Sequence, residues 1–256
     1  MRKRDASLPA IGWLPWSAHS RAEVSYLLGE QRSVERIARR VFGRPLAPSE
    51  YANLVGAPDT ATVEVGASDG HLYLEMRDAV SSVRGYFYLH RTKTTAVLRI
   101  DGLRIDLRVL RGHGVGLQIF HRQARGAARL GVGRIEAVAG RTADENGYYT
   151  WPRYGFEGWL PASHRPPPPG LERARTLSDV MSCKVGRDWW KRCGVTVPVR
   201  FDLAAGSPSR QSLARYVRER TETGRSEEAT RDVHRSDRRD TTPSAGARAS
   251  ALPSLS

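Results

Sequence analysis

Apolar and polar positions recur with two different periods along this chain, and the changes of period mark out its elements. Over residues 21–42, Val24, Leu27, Leu28, Val34, Ile37, Ala38 and Val41 fall at helical spacing among arginines and glutamates, which predicts one broken helix or two short ones. A short helix is expected over Ser49–Val55, with Ser49 as its cap behind Pro48. From Ala61 to Leu110 the period drops to two, through Val63 and Val65, then Leu72, Leu74 and Met76, then Tyr86 and Tyr88, then Val97 and Arg99. That pattern predicts a strand meander. Asp69-Gly70 and Asp101-Gly102 read as hairpin dipeptides, because both residue types tolerate positive φ. In the last strand Leu103, Ile105, Leu107 and Val109 alternate with Arg104, Asp106 and Arg108.

The period then returns to 3.6. Leu117, Phe120, Ala124, Ala127, Ala128 and Leu130 share a helical stripe, with Gly131 as a stop. Arg134–Ala139 alternates again as a short strand. Strand, turn, helix and strand make a right-handed βαβ unit whose strands are parallel neighbours. An aromatic segment (Tyr148, Tyr149, Trp151, Tyr154, Phe156, Trp159) precedes the proline run 166–169. Helix is expected again over 176–193, and an edge strand over Val195–Leu203, because Pro198 cannot donate to two neighbours. One more helical stretch runs from Gln211 to Glu219. From Thr221 to Ser256 large apolar residues are too few to offset chain entropy, so disorder is expected. The chain thus divides into an N-terminal segment (1–20), a main domain (21–165), a proline-rich linker (166–175), a C-terminal extension (176–220) and a tail (221–256).

With 256 residues one main core is expected. The balance of 41 basic against 27 acidic residues gives a net charge of +14, which suits polyanionic partners. Only Lys3, Lys93, Lys184 and Lys191 are lysines, however, and a GC-rich genome produces such an arginine bias without any anionic ligand. Between 210 and 240 nine arginines face seven acidic residues, which places the excess charge in the folded part. Cys183 and Cys193 form no zinc-type cluster, so free thiols and no metal are expected. No signal core is visible, and no apolar run approaches the roughly 20 residues of a membrane span. A cytoplasmic protein is the expectation.

The most informative segment is the run Arg111-Gly112-His113-Gly114-Val115-Gly116 between the last strand of the meander and the helix. A glycine turn feeding a helix aims backbone N–H groups and the positive end of the helix dipole at one point, which favours an anion. A dinucleotide fingerprint needs a third glycine where Ile119 stands, and no Walker lysine follows.

Arg111, Gly114 and Gly116 fit Arg/Gln-x-x-Gly-x-Gly/Ala, which resembles the acyl-CoA motif of the GNAT acyltransferase superfamily. In that family the motif follows the fourth strand and opens the third helix. The next strand leads to an asparagine, an aromatic helix and a Gly-Phe pair, matched here by Asn146, Tyr148–Tyr154 and Gly155-Phe156. The similarity spans about residues 95–160. It implies an α/β fold, a mixed and mostly antiparallel sheet with a central βαβ unit flanked by helices, here with a C-terminal helical extension. It also implies that acetyl-CoA or another acyl-CoA is the co-substrate and that an amine accepts the acyl group. By the same resemblance Val109 and Leu110 hold the pantetheine, Arg111, Gly112, His113, Gly114, Val115 and Gly116 hold the pyrophosphate, and Asn146 completes the cofactor site.

Transfer needs a base for the amine proton and an acid for the departing thiolate. The family often uses a tyrosine as the acid, but Trp151 stands near that slot and Pro152 interrupts the helix. Tyr148, Tyr149 and Tyr154 remain candidates, as do Glu64, Glu75 and Glu136 for the base. Two other readings compete. One is a non-catalytic interaction module on the same fold, docking a partner around Trp189 and Trp190. The other is nucleic-acid binding through the arginine surface, ranked last because the aromatic residues form no recognised motif.

Overall fold

The computed structural model describes residues 17, 20–105, 114–143, 145–162 and 167–237. Seven strands form one sheet in chain order: β1 (Glu23–Tyr26), β2 (Thr62–Ser68), β3 (His71–Asp78), β4 (Val83–Arg91), β5 (Ala96–Ile105), β6 (Val132–Ala139) and β7 (Val197–Asp202). The pairs β1–β2 and β5–β6 are parallel and the other four are antiparallel. The helices are α1 (Gln31–Phe42), α2 (Pro48–Leu54), α3 (Val115–Arg129), α4 (Gly147–Arg153), α5 (Leu177–Met181), α6 (Lys184–Cys193) and α7 (Pro208–Asp237). The architecture is therefore a mixed, mostly antiparallel sheet with a central β5–α3–β6 unit flanked by helices, as the GNAT resemblance implies.

Period-two burial decides which face is the core. Val63, Val65, Leu72, Leu74, Phe87, Leu89, Leu98, Ile135 and Phe201 are fully buried on one face, on which α1 packs against β2 and β3 and α3 against β6. On the other face the residues are exposed or half-buried, apart from a few such as Glu75 and Val97. There Tyr73 lies against Tyr88 and His71 against His90, each pair 5.4 Å apart. Helix α3 is closed in on its second side by α2, so closely that a Cβ on Gly126 would stand 2.6 Å from the carbonyl oxygen of Asn53.

Several expectations are corrected. Residues 23–26 form β1 rather than helix, and Leu28 stands fully exposed in the turn before Gly29. Two apolar residues cannot distinguish the two periods, and pairing of Val24 and Tyr26 with Val63 and Val65 decides the outcome. In α2 the cap position is Ala47 and Pro48 is the first helical residue. Asp69-Gly70 makes its hairpin with φ of 46° and 81°, but Asp101-Gly102 does not turn the chain. The β4–β5 turn is Thr92–Thr95 instead, closed by Thr92 N–H donating to the Thr95 carbonyl at 2.8 Å. The meander therefore has four strands between α2 and α3, and the glycine turn follows the fifth strand rather than the family's fourth.

Beyond the proline run the chain returns to the sheet as β7, and residues up to Arg218 form one compact unit. A second unit begins at Glu219, where helical backbone continues to Asp237 across residues expected to lack structure. Arginine, glutamate and alanine are good helix formers, and continuing an existing helix avoids the cost of nucleation.

Candidate functional site

The site is built where β5 and β6 part. Their pairing runs from Ala96 and Val132 to Ile100 and Ala137. Beyond that point β5 continues to Ile105 against β4 alone, and β6 continues through Val138 and Ala139 against β7 alone. The cause lies in Asp101. Tyr86 pairs with Gly102 and Phe87 with Ile100, which leaves Asp101 as the extra residue of a bulge. A bulge bends its strand and increases the local twist, and this one follows immediately on Ile100, the last residue that β5 shares with β6. The dipeptide read as a hairpin is thus the device that opens the sheet.

The N-terminus of α3 faces this opening. Gly114 is its N-cap in the left-handed region, φ 84°, with no side-chain cap and no acidic residue in the first turn. The amides of Val115, Gly116 and Leu117 therefore lack intrahelical acceptors. A Cβ on Gly116 would point between the end of β5 and α4, 3.5 Å from Ile105 Cδ1 and 3.6 Å from the Tyr154 hydroxyl. Of the expected cofactor residues, Gly114, Val115 and Gly116 stand at this helix start. Val109, Leu110, Arg111, Gly112 and His113 lie outside the described residues.

Asn146 occupies the N-cap position of α4, where its carbonyl accepts from Tyr149 and Thr150 N–H at 3.0 Å, and its side chain caps nothing. Trp151 is core. It packs edge-on against Phe120 at 5.7 Å and is tilted on Phe156 at 5.0 Å. Tyr154 stacks on Phe120 at 5.8 Å with 13° between the rings and meets Trp151 edge-on at 5.9 Å.

The remaining candidates are not gathered around Tyr154. Tyr149 has the cations of Arg153 and Lys191 at 5.3 and 5.9 Å from its ring. Glu136 sits on the opposite sheet face, in register with Arg99 and Arg200, and accepts from Arg134 Nε at 2.6 Å. Of the other candidate bases, Glu75 is bound by Arg77 and held below the usual carboxylate range by that hydrogen bond. Glu64 pairs in register with Glu75 on the same face, away from α3. Among the described residues no group of three or more histidine, cysteine or carboxylate side chains is placed to hold a metal.

Sequence reasoning missed the part played by α7. Tyr216 packs on Tyr154 at 5.6 Å, and Arg153 lies over Tyr216 at 4.6 Å. Gly155, φ 98°, leaves room for this helix, since a Cβ there would stand 2.5 Å from the Ser209 carbonyl oxygen. The apolar pair Leu213 and Val217, both buried, marks the packed face and was visible in the pattern. Which aromatic residue it would meet was not.

No family model matches the chain, and no curated protein matches it. Among solved structures it is similar to one provisionally described as a phosphinothricin N-acetyltransferase, at 15% identity over 70% of this chain and 97% of that one, with a TM-score of 0.30. At that identity and score the similarity decides nothing about activity.

Proposed function

We propose that the chain is a GNAT-like N-acyltransferase that binds acetyl-CoA or a related acyl-CoA and passes the acyl group to an amine. The observation that carries this reading is the parting of β5 from β6 after Ile100 and Ala137, beside a helix start with free amides and a left-handed glycine. Such a gap admits an extended arm between two strands, and the amides of Val115 and Gly116 suit the diphosphate at its end. Bound acyl-CoA supplies the thioester. On this reading Val109 and Leu110 line the arm, Arg111 to Gly116 hold the diphosphate, and Asn146 borders the site.

On this reading Tyr154 and Glu136 act from opposite faces of the sheet. The Tyr154 hydroxyl, against Gly116, donates a proton to the departing sulfur, and the Glu136 carboxylate takes the proton of the attacking amine. Tyr149, whose ring lies 5.3 Å from the Arg153 guanidinium, is the alternative proton donor on this reading. Trp151, a core residue in the slot where the family carries tyrosine, favours a second reading in which the fold binds a partner and catalyses nothing.

Thermal denaturation with acetyl-CoA or adenosine separates these. A ligand at 100 times its Kd stabilises by about 2.7 kcal/mol, so acetyl-CoA raises the melting temperature and adenosine does not. Gly114→Glu removes the shift, because a negative side chain enters the anion site. No shift at millimolar acetyl-CoA overturns the proposal, and binding without release of free thiol in the presence of amines favours the non-catalytic reading.

A further inference from the structure

The far end of the same βαβ unit carries a different feature. Where α1 and α3 end and the β4–β5 turn meets them, there is a cleft of about 630 Å³ lined by Arg39, Arg40, Arg91, Thr94, Leu130 and Gly131, among others, and by no carboxylate. Helix α3 separates it from the candidate acyl-CoA site, a run of 15 residues, about 22 Å at 1.5 Å per residue. Arg36 stands one turn before Arg40 on α1, Lys93 lies in the turn beside Thr94, and Arg129 ends α3. All six of these basic residues are exposed.

Two effects reduce the positive charge here. The C-termini of α1 and α3 each present about half a negative charge, and Glu35 pairs with Arg39 at 3.3 Å. Together they offset about two of six charges. What distinguishes this pole is that its arginines border one cleft lined by no carboxylate. On the open sheet face Arg77, Arg99 and Arg134 are each bound by a carboxylate two residues away, Glu75, Asp101 and Glu136. Around the cleft only Arg39 has such a partner among the described residues. An arginine bias in composition spreads charge over the surface, and by itself does not leave one cleft uncompensated.

The ligand must carry several negative charges and need little apolar contact, since Phe42 and Leu130 are the only large apolar side chains that line the cleft without being fully buried. Guanidinium forks match phosphate oxygens bidentately, and with Phe42 the only aromatic ring in the cleft there is little for a base to stack on. We propose that this pole binds the sugar-phosphate backbone of nucleic acid, without reading its bases, through Arg36, Arg40, Arg91, Lys93 and Arg129. This is independent of the acyl-CoA reading, and it promotes the interpretation that composition alone ranks last.

The test uses the full chain and a fluorescein-labelled mixed-sequence oligonucleotide, single-stranded or as its duplex, followed by anisotropy over a series of salt concentrations. Binding of either form is expected at low salt and falls steeply as salt rises. Combined Arg36→Gln, Arg40→Gln and Arg129→Gln removes three exposed side chains with no described hydrogen bonds. It is expected to weaken binding at least tenfold and to reduce the single-strand salt slope by about 2, at about 0.7 per phosphate contact, with the melting temperature unchanged. Gly114→Glu, which tests the acyl-CoA site, leaves oligonucleotide binding intact. The proposal is overturned by absence of binding at low salt, by wild-type affinity in the triple variant, or by loss of binding in Gly114→Glu. Equal displacement by polyglutamate also overturns it, in favour of an acidic protein partner.

Discussion

The Tyr154 hydroxyl lies over the first turn of α3, at 3.6 Å from the position that a Cβ on Gly116 would take. Both neighbours of that position are at ordinary contact distance, so Gly116→Ala is accommodated and gains up to about 1 kcal/mol in helix propensity. Gly116→Leu fills the space between Ile105 and Tyr154 and is expected to abolish the acetyl-CoA thermal shift. Tyr154→Phe keeps the stack on Phe120, while thiol release slows by about 100-fold or more, the usual range for a lost general acid. Thermal denaturation and a thiol-release assay on the three variants check these outcomes.

Gly126 is the opposite case. Its Cβ would lie 2.6 and 2.8 Å from the carbonyl oxygen and carbon of Asn53, which are backbone atoms. Gly126→Ala gains about 1 kcal/mol in propensity, but forcing two helix backbones apart costs about 1–3 kcal/mol. A net loss of stability is expected in urea denaturation. A gain would show that α2 and α3 are free to separate.

His121 sets a pH dependence. It is 4% exposed, its Nε2 has no hydrogen-bond partner among the described residues, and burial, with Arg125 as a smaller cause, pushes its pKa down from 6.5 to about 4. The unfolded chain therefore takes up a proton near pH 6.5 that the folded chain refuses until about pH 4. Stability is full above pH 6.5 and declines by about 3 kcal/mol between those values, at 1.36 kcal/mol per unit. His121→Leu is expected to lose less stability than wild type between pH 7 and pH 4.5, as measured by urea midpoints. Parallel declines in the two proteins would assign the acid sensitivity to other groups.

Arg122 ties the start of the described chain to α3. It is 9% exposed, pairs with Asp59 at 3.0 Å and donates to the Ser17 carbonyl at 2.8 Å and to the Ala57 carbonyl. Burial raises the Asp59 carboxyl, but hydrogen bonds from Ser17 and the Arg122 charge outweigh it and hold the group below its usual range. Arg122→Ala removes the charge facing Asp59 and the bonds to the Ser17 and Ala57 carbonyls, leaving Asp59 only its hydrogen bonds from Ser17, and is expected to cost about 1–3 kcal/mol. Adding Asp59→Asn recovers part of the loss, and a double-mutant cycle measures how much.

In the β5–α3–β6 unit, α3 and β6 were legible because each has a clean period, Leu117 to Leu130 and Ile135 to Ala139, whereas β5 was read as two strands because the bulge at Asp101 shifts its alternation between Ile100 and Leu103. Gly131, with φ 76°, ends α3 as its place after the stripe implies. β1 was illegible because four residues show only two side chains to the core, and its partner β2 lies more than thirty residues away in the chain. The β4–β5 turn was missed because Thr92–Thr95 has no residue that demands a turn, whereas Asp101-Gly102 looks like one and serves as a bulge.

From the chain alone came the class of fold, the glycine-capped helix start, the aromatic segment and the total charge, since all of these depend on residue type and near-neighbour spacing. Only tertiary structure decided that Asp101 parts β5 from β6 and that Tyr154, not Trp151, faces the helix start. It also decided which arginines have counter-charges and which crowd one cleft without them. Those outcomes depend on strand register and on packing between distant segments, which no local period encodes.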